Sequence, residues 1–298
     1  MDEQTRKDIW FSSNGTDCAA WLYASKEGKL PVIVMAHGLG STRDMRIDAF
    51  AAAFSEAGFA CFLFDYRNNG DSKGDRRYRI NVKEQLEDWN NAVKFVSTLE
   101  QVDPNRIYLF GTSFSGGHVM TLAANNAAVK GVVAQCPYTD TFASVFAVPF
   151  VTRIKLLFTL FADCFTRLFG HRIFVPLAGK PGSTALMVSQ DYEVYLNLMT
   201  KDSKTFKNTT PITTVLEFFK YRPGKYAKDI RVPIYYALCG KDEVAPAKKT
   251  LQYIKRTPNA VVKVYDCGHF DIYFGKYYDE AIADYIAFFK EVDSTICE

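Results

Sequence analysis

Short apolar runs alternate with segments of helical period along this 298-residue chain, and this alternation restricts the fold more than any other feature. Residues 59–64 (FACFLF) form one such run, typical of a strand that is buried on both faces. Residues 81–99 instead repeat apolar side chains at helical spacing. Strands that alternate with helices specify a mostly parallel sheet covered on both faces. We therefore predict an α/β fold.

The predicted strands cover residues 18–24, 31–36, 59–64, 106–110, 131–136, 232–239 and 261–265. The predicted helices cover residues 44–57, 81–99, 114–126, 246–256 and 272–292. Strand signals are scarce from residue 141 to residue 228, where helix-like segments rich in Phe and Leu are broken by prolines. This interruption predicts a helical cap, residues 141–228, inserted into a core domain of residues 1–140 and 229–298.

Composition and charge exclude several classes of protein. The 36 basic and 33 acidic residues leave a net charge of +3, too small to indicate nucleic-acid binding. Seven scattered cysteines without a CxxC pair argue against a disulfide framework and favour a reducing, cytoplasmic location. The acidic N-terminus does not resemble a signal peptide, and no apolar stretch is long enough to predict a transmembrane helix.

The sharpest local signal is the GTSFSGG segment at residues 111–117, between a predicted strand and a predicted helix. This context is typical of a nucleophile elbow, a tight turn that exposes a serine hydroxyl above the sheet. Ser113 is the candidate nucleophile, and Gly111 and Ser115 fill the small flanking positions. A glycine-rich turn with no catalytic role is the structural alternative. Ser115 as nucleophile is a weaker one, because it would lie within the helix.

A serine needs a base to accept its proton, and the chain has four histidines. His269 follows the last predicted strand, at the sheet edge where the elbow is expected, and is the candidate base. Its alternative is a loop histidine with a purely structural role. His37 and His118 fit supporting positions near the elbow, and His171 falls in the predicted cap.

Asp242, directly after the strand at residues 232–239, is the candidate acid that orients the base. Glu243 and Asp140 are the alternatives. Together with Ser113 and His269 it gives the chain order Ser, Asp, His, which is the order of one hydrolase fold and differs from that of the other serine-protease folds. Agreement of three motifs in this order is more specific than any one of them.

Two backbone amides are candidates for the oxyanion hole. Phe114 begins the helix after the elbow, where its N–H is free to bind a negative oxygen. Leu39, in the His37–Gly40 loop after a predicted strand, supplies the second donor expected from that loop. The sequence contains no cluster with metal-ligand spacing and no phosphate-binding glycine motif, so neither a metal nor another cofactor is predicted.

The segments HGLG, GTSFSGG, GKDEVAP and DCGHF together resemble the α/β-hydrolase superfamily. The loop at residues 65–74 (DYRNNGDSKG) and the Tyr221–Pro223 segment are similar to the dienelactone-hydrolase-like and fungal polyketide-transferase-like group. The resemblance covers most of residues 15–292 and is weakest in the predicted cap. It implies an eight-stranded, mostly parallel sheet and a serine nucleophile, but it does not specify a substrate.

Phenylalanines are concentrated between residues 142 and 174, several of them four residues apart on one helical face. We interpret this segment first as cap core, and second as the lining of an apolar acyl or aromatic pocket. Phe142, Phe146 and Phe150 are the candidate substrate contacts. A membrane-surface contact or a homodimer interface is the third interpretation.

These residues predict a serine hydrolase that cleaves a carboxylic ester or thioester bond of a small apolar or aromatic acyl substrate. An acyltransferase would use the same triad, and only the group that attacks the acyl-enzyme would differ. A peptidase of the same fold and a non-catalytic binding protein are further alternatives. The intact Ser–Asp–His set argues against the binding protein.

Overall fold

The structure is a computed structural model that describes residues 6–24, 28–198, 203 and 205–297. Residues 1–5, on which the prediction about a signal peptide partly rests, lie outside the described residues. So do residues 199–202 and 204 of the predicted cap. Among the described residues, no helix combines the length and the apolar character needed to cross a membrane.

The strands, numbered in chain order, are β1 Arg6–Ser13, β2 Thr16–Tyr23, β3 Leu30–Ala36, β4 Ala60–Phe64, β5 Val102–Thr112, β6 Val129–Gln135, β7 Phe174–Val175, β8 Ala178–Gly179, β9 Met187–Val188, β10 Thr210–Pro211, β11 Ile234–Cys239 and β12 Ala260–Tyr265. Eight of them form one sheet in the order β1-β2-β4-β3-β5-β6-β11-β12. Strands β1 and β2 pair antiparallel with each other, and β2 pairs antiparallel with β4, whereas the remaining pairs are parallel. The predicted mostly parallel, eight-stranded sheet is confirmed.

The helices are α1 Ile47–Glu56, α2 Val82–Val96, α3 Phe114–Asn125, α4 Thr141–Ala147, α5 Phe150–Thr166, α6 Tyr192–Leu196, α7 Thr214–Lys220, α8 Ala247–Ile254 and α9 Gly275–Cys297. Helices α1 and α9 pack on one face of the large sheet, and α2, α3 and α8 pack on the other. Helices α4 to α7 and the two-residue strands β7 to β10 occur between β6 and β11. The division into core and cap stays a prediction.

Strand β4 shows why the sheet needs helices on both sides. Cys61 and Leu63 belong to the apolar cluster on one face, and Phe62 and Phe64 belong to the cluster on the other. Successive side chains of a strand point to opposite faces, so an uninterrupted apolar run must be covered twice.

Strand β1 is not among the seven core strands predicted from the sequence. Its sequence RKDIWFSS is mostly polar, and only Phe11 and Ser13 are buried. As an edge strand it pairs only with β2 and has no need of an apolar run. The helix predicted over residues 44–57 begins later, at Ile47, because Arg46 has a left-handed backbone with φ of 67°.

Phe50 of α1 tests the packing of this core, because its ring is fully buried and stacks on Phe110 of β5 at a centroid distance of 5.2 Å. We expect Phe50→Ala to lower the free energy of unfolding by about 3–5 kcal/mol, measured by urea denaturation. The matched control is Phe165→Ala, which removes the same ring from an exposed site and should change stability by no more than about 0.5 kcal/mol. Equal losses in the two variants would contradict this description of the core.

Candidate active site

Ser113 lies in the turn between β5 and α3, with φ of 57° and ψ of −117°. A non-glycine residue in such a conformation is strained by about 1–3 kcal/mol and persists only when its neighbours hold it. The N–H of Ser113 donates to the carbonyl of Gln135 at 2.8 Å, and its carbonyl accepts from the N–H of Tyr138 at 2.9 Å. Both partners belong to β6 or the segment after it, so the neighbouring strand fixes the turn.

The residues around the elbow are small because the helix packs closely against the strand. A Cβ atom on Gly111 would lie 2.4 Å from the carbonyl oxygen of Ser115, too close for any side chain. Ser115 itself is fully buried, and its hydroxyl accepts a hydrogen bond from Tyr66 at 3.1 Å. Serine fits this position because its hydroxyl is hydrogen-bonded to Tyr66. Ser115 is not among the residues that line the cavity, which argues against it as the nucleophile.

The side chains of Ser113, His269 and Asp242 form a continuous hydrogen-bonded chain. Nε2 of His269 lies 3.0 Å from Oγ of Ser113, and Nδ1 lies 2.6 Å from Oδ2 of Asp242. Oδ1 of Asp242 accepts from the N–H groups of Val244 at 2.8 Å and Ala245 at 2.6 Å. These two bonds fix the carboxylate so that its second oxygen points at the imidazole.

The parallel pairing of β11 and β12 brings the last two of these residues together. Cys239, at the end of β11, pairs with Tyr265, at the end of β12. The loops that carry Asp242 and His269 therefore leave the same edge of the sheet side by side. The side chains of both residues are buried, whereas Ser113 is partly exposed.

The other three histidines lie elsewhere. His37 is buried, with Nδ1 3.0 Å from the carbonyl oxygen of Gly38. His118 is buried behind the elbow, where its Nδ1 lies 2.6 Å from the hydroxyl of Tyr221, and burial lowers its pKa to about 3. His171 is exposed. None of these three histidines lies beside the hydroxyl of Ser113, where a base would be needed.

The alternative acids also have other neighbours. Asp140 accepts from the N–H of Phe142 at 2.6 Å and from the guanidinium of Arg222 at 3.2 Å. Glu243 lines the cavity described below. The carboxylate that contacts the imidazole of His269 is that of Asp242.

Leu39 and Phe114, the predicted sources of the oxyanion donors, both line the cavity beside Ser113. Phe114 is the first residue of α3, so its N–H has no acceptor within the helix. The carbonyl of Leu39 accepts a hydrogen bond from the hydroxyl of Tyr195 at 3.0 Å, which helps to orient the peptide groups of this loop.

An ionic network beside the loop at residues 37–40 was not identified from the sequence as part of the site. The carboxylate of Asp65 accepts from the backbone N–H and the guanidinium of Arg43, both at 2.8 Å, and its Oδ1 lies 3.5 Å from Nε2 of His37. Burial acts to raise the pKa of Asp65, but His37 and Arg43 outweigh it and hold that pKa below its ordinary value. The sequence signal for it is the loop at residues 65–74, which contributed above only to the family resemblance.

One group of three described side chains has the donor atoms and proximity of a metal site. Sγ of Cys136 and the side-chain atoms of Asp242 and His269 lie within 4.8 Å of one another. The nearest atoms of Asp242 and His269 are already bonded to each other. Burial raises the pKa of Cys136, which favours the neutral thiol over the thiolate that binds metals.

A cavity of about 280 Å³ opens above Ser113. Much of its wall comes from α4, α5 and the turn between them, and is formed by Val145, Val148, Arg153, Leu156, Leu157 and Leu160. Leu186, Met187, Val215 and Phe218 add further apolar surface. The cavity therefore presents a largely apolar wall to whatever binds next to the serine.

Phe142, Phe146 and Phe150, the predicted substrate contacts, are exposed and are not among the residues that line this cavity. The guanidinium of Arg153 packs over the rings of Phe146 and Phe150 at 5.1 and 5.5 Å. Their role as substrate contacts stays a prediction, and the spacing of apolar residues does not say which face of a helix turns inward.

A serine in a strand–helix turn beside a histidine–aspartate pair, on a mostly parallel sheet, defines an enzyme-like site of the α/β-hydrolase type. The family model of the α/β-hydrolase fold matches residues 31–276. The quorum-quenching protein AidA of Acinetobacter baumannii (strain MDR-ZJ06) is 42% identical over 97% of this chain and 96% of its own length. Thiohydrolase aneE of Aspergillus aculeatus is 26% identical over 98% of this chain and 95% of its own.

Solved structures agree on the fold. A complex of DcsB with its substrate analogue superposes with a TM-score of 0.82 at 23% identity, covering 96% of this chain and 99% of that chain. The α/β hydrolase GrgF from Penicillium sp. sh18 gives a TM-score of 0.80 at 21% identity, covering 96% and 98%. The chain belongs to the α/β-hydrolase superfamily, and this membership supports a hydrolase activity.

Asp65→Asn tests the network beside the loop at residues 37–40. It removes one of the two carboxylates that pair with the buried guanidinium of Arg43 and leaves only the half-exposed Asp71, so we expect a loss of about 1.5–3 kcal/mol in the free energy of unfolding at pH 7. Because the folded-state pKa of Asp65 is depressed, its contribution is present at neutral pH and is lost as the pH falls below about 4. The wild type should lose this stability on acidification and the variant should not, as measured by urea denaturation between pH 7 and pH 3.

The matched control is Asp17→Asn, which breaks an exposed ion pair with Lys73. It should change stability by less than about 1 kcal/mol. Parallel pH profiles for wild type and Asp65→Asn would argue against the network.

Proposed function

We propose that the protein is a serine hydrolase that cleaves a carboxylic ester or thioester through a covalent acyl-enzyme. The proposal rests on one observation, the unbroken hydrogen-bonded chain from Asp242 through His269 to Ser113. Such a chain supplies the base that a serine hydroxyl lacks on its own.

The direction of the hydrogen bonds gives each residue its role. A carboxylate can only accept, so Nδ1–H of His269 donates a hydrogen bond to Asp242, and the lone pair of Nε2 faces Ser113. As Oγ of Ser113 attacks the substrate carbonyl, Nε2 of His269 receives its proton. The imidazolium formed is stabilised by Asp242, and it then returns the proton to the leaving alcohol or thiol.

The carbonyl oxygen becomes negative as the tetrahedral intermediate forms. The N–H groups of Phe114 and Leu39 are the proposed donors to this oxygen, and both residues lie at the cavity wall beside Ser113. The N-terminus of α3 adds a favourable dipole at the same point. Water, activated by His269, then releases the acid from the acyl-enzyme.

The cavity limits the class of substrate. Its apolar wall can bury an acyl chain or an aromatic acid but offers few partners to a strongly polar one. A relative at 26% identity is named a thiohydrolase, and the 42% identical relative is named a quorum-quenching protein. We therefore propose a small apolar acyl substrate, including cyclic esters, which open by the same acyl-enzyme chemistry.

An acyltransferase is the second candidate function. Relatives named acyltransferase drtE of Aspergillus calidoustus and polyketide transferase ATR5 of Stachybotrys chlorohalonatus are each 30% identical, over 55% and 61% of this chain. The first half-reaction would be the same, and an alcohol, amine or thiol would replace water in the second. Product analysis with a candidate acceptor present separates the two functions, because a transferase yields a new ester, amide or thioester where a hydrolase yields free acid.

Removal of a triad member provides the direct test. We expect Ser113→Ala to lower kcat/KM on p-nitrophenyl esters by roughly three to six orders of magnitude and to abolish labelling by a fluorophosphonate probe. Asp242→Asn should cost less, because it disturbs only the orientation and charge of the base. Ser115→Ala is the matched control and should remain labelled, since Ser115 is buried against Tyr66. Unchanged labelling of Ser113→Ala would leave the binding-protein interpretation standing.

The acyl preference tests the cavity. Wild type should prefer p-nitrophenyl esters of medium-length acids to the acetate, because each buried methylene adds about 0.8 kcal/mol. Val148→Trp places a larger side chain in the wall, so we expect the preference for longer chains to fall about tenfold while acetate hydrolysis is retained.

The matched control for Val148→Trp is Val261→Trp. Val261 is exposed on β12 and is not among the residues that line the cavity, so this substitution should leave the acyl-chain preference unchanged. A wild-type preference for acetate, with no gain from longer chains, would rule out an apolar acyl pocket.

A further inference from the structure

Helix α5 exposes a continuous apolar stripe to solvent. We call it the outer stripe, and it consists of Phe150, Ile154, Leu157, Phe158, Phe161 and Phe165. These positions repeat at three- and four-residue spacing, so they share one side of the helix. Phe158 is 70% exposed and Phe165 is 73% exposed, values far above those expected of an apolar core. Such a contiguous patch marks an interaction surface rather than scattered exposed residues.

The opposite side of α5 is anchored to the rest of the molecule. Thr152, Leu156 and Asp163 are buried there. The hydroxyl of Thr152 donates to the carbonyl of Ser183 at 3.1 Å, and the carboxylate of Asp163 accepts from the N–H of Ile173 at 2.7 Å. The helix therefore already has an inner face, and the outer stripe remains available for another surface.

Helix α5 and the chain next to it contain more basic than acidic residues. Residues 142–180 contain five basic residues, Arg153, Lys155, Arg167, Arg172 and Lys180, and a single acid, Asp163. The carboxylate of Asp163 is buried and lies 2.8 Å from the guanidinium of Arg167. The segment therefore carries a net charge of +4, whereas the rest of the chain is close to neutral, because the whole chain carries +3.

Positive charge beside phenylalanine favours one occupant over another. Two copies of this chain, paired through their outer stripes, would bring together the basic side chains that each α5 carries beside its stripe, Arg153 and Lys155. An anionic lipid surface instead offers apolar acyl chains to the phenylalanines and negative headgroups to the cations around them.

The outer stripe also adjoins the cavity above Ser113. Leu157 belongs to both, and Leu156 and Leu160 of the same helix line the cavity wall. A surface that covered the stripe would therefore lie next to the cavity, where a substrate dissolved in lipid could enter.

We propose that the outer stripe of α5 docks the protein on anionic membranes, with its phenylalanines at the level of the acyl chains. Docking goes beyond the proposed hydrolysis and does not require it. Binding is therefore measured on both the wild type and Ser113→Ala, so that loss of catalysis and loss of docking are separate results.

The test is sedimentation with vesicles of phosphatidylcholine alone and with vesicles that contain equal parts phosphatidylcholine and phosphatidylglycerol. We expect binding to the anionic vesicles, weaker binding to the neutral ones and a decrease with added salt. Phe158→Ser, Phe161→Ser and Phe165→Ser combined should weaken binding at least about tenfold, because three aromatic anchors are lost.

Two matched controls accompany that variant. The first combines Trp10→Ser, Val261→Ser and Val264→Ser, which remove comparably exposed apolar side chains from the sheet edges and should leave binding unchanged. For charge, Lys155→Gln on α5 should weaken binding about fivefold, whereas the exposed Lys94→Gln should not. Thermal denaturation and hydrolysis of a short soluble ester check that each variant is folded.

Three outcomes would overturn the proposal. Equal binding to neutral and anionic vesicles would remove the role of the cations. Absence of vesicle binding, together with a dimer in analytical ultracentrifugation that the triple phenylalanine variant abolishes, would assign the stripe to a second copy of the chain. If the protein is a monomer and does not bind vesicles, the outer stripe contacts neither a membrane nor a second copy of the chain.

Discussion

The strained backbone at Ser113 is the constraint around which the site is organised. Its φ of 57° raises the hydroxyl above the sheet, and the cost of about 1–3 kcal/mol must be met by the surrounding contacts. Hydrogen bonds to Gln135 and Tyr138 tie the turn to β6, and the missing side chain at Gly111 lets α3 pack against β5. Because these restraints come from buried backbone, the position of the Ser113 hydroxyl depends on the sheet and the segment that follows β6.

The parallel sheet also supplies the remaining geometry. Strands β6, β11 and β12 run side by side after β5, so the loops with Asp242 and His269 emerge at the edge where Ser113 stands. The network of Asp65, Arg43 and His37 performs a similar task for the loop with Leu39. Several long-range contacts thus position a few atoms, as expected of a preorganised site.

The sequence predicted those parts of the fold and site in which a local pattern of residues indicates a single kind of structure. The run at residues 59–64 is typical of a strand covered on both faces, and the GTSFSGG turn, with late Asp and His motifs in order, indicated which loops meet. Strand β1 carried no such pattern, because an edge strand can be polar. The role of Asp65 was also hidden, since its partners Arg43 and His37 are more than twenty residues away. The catalytic roles themselves stay predictions.

Helix α5 shows a further limit of sequence patterns. Its apolar residues cover both sides of the helix, so periodicity alone could not separate Leu156 and Leu160, which line the cavity, from Phe158 and Phe165, which face outward. The buried polar side chains Thr152 and Asp163 resolve the ambiguity, because each needs a partner from the rest of the molecule. A helix held in this way by its polar residues can use apolar residues on both sides, inward for an acyl chain and outward for a second apolar surface.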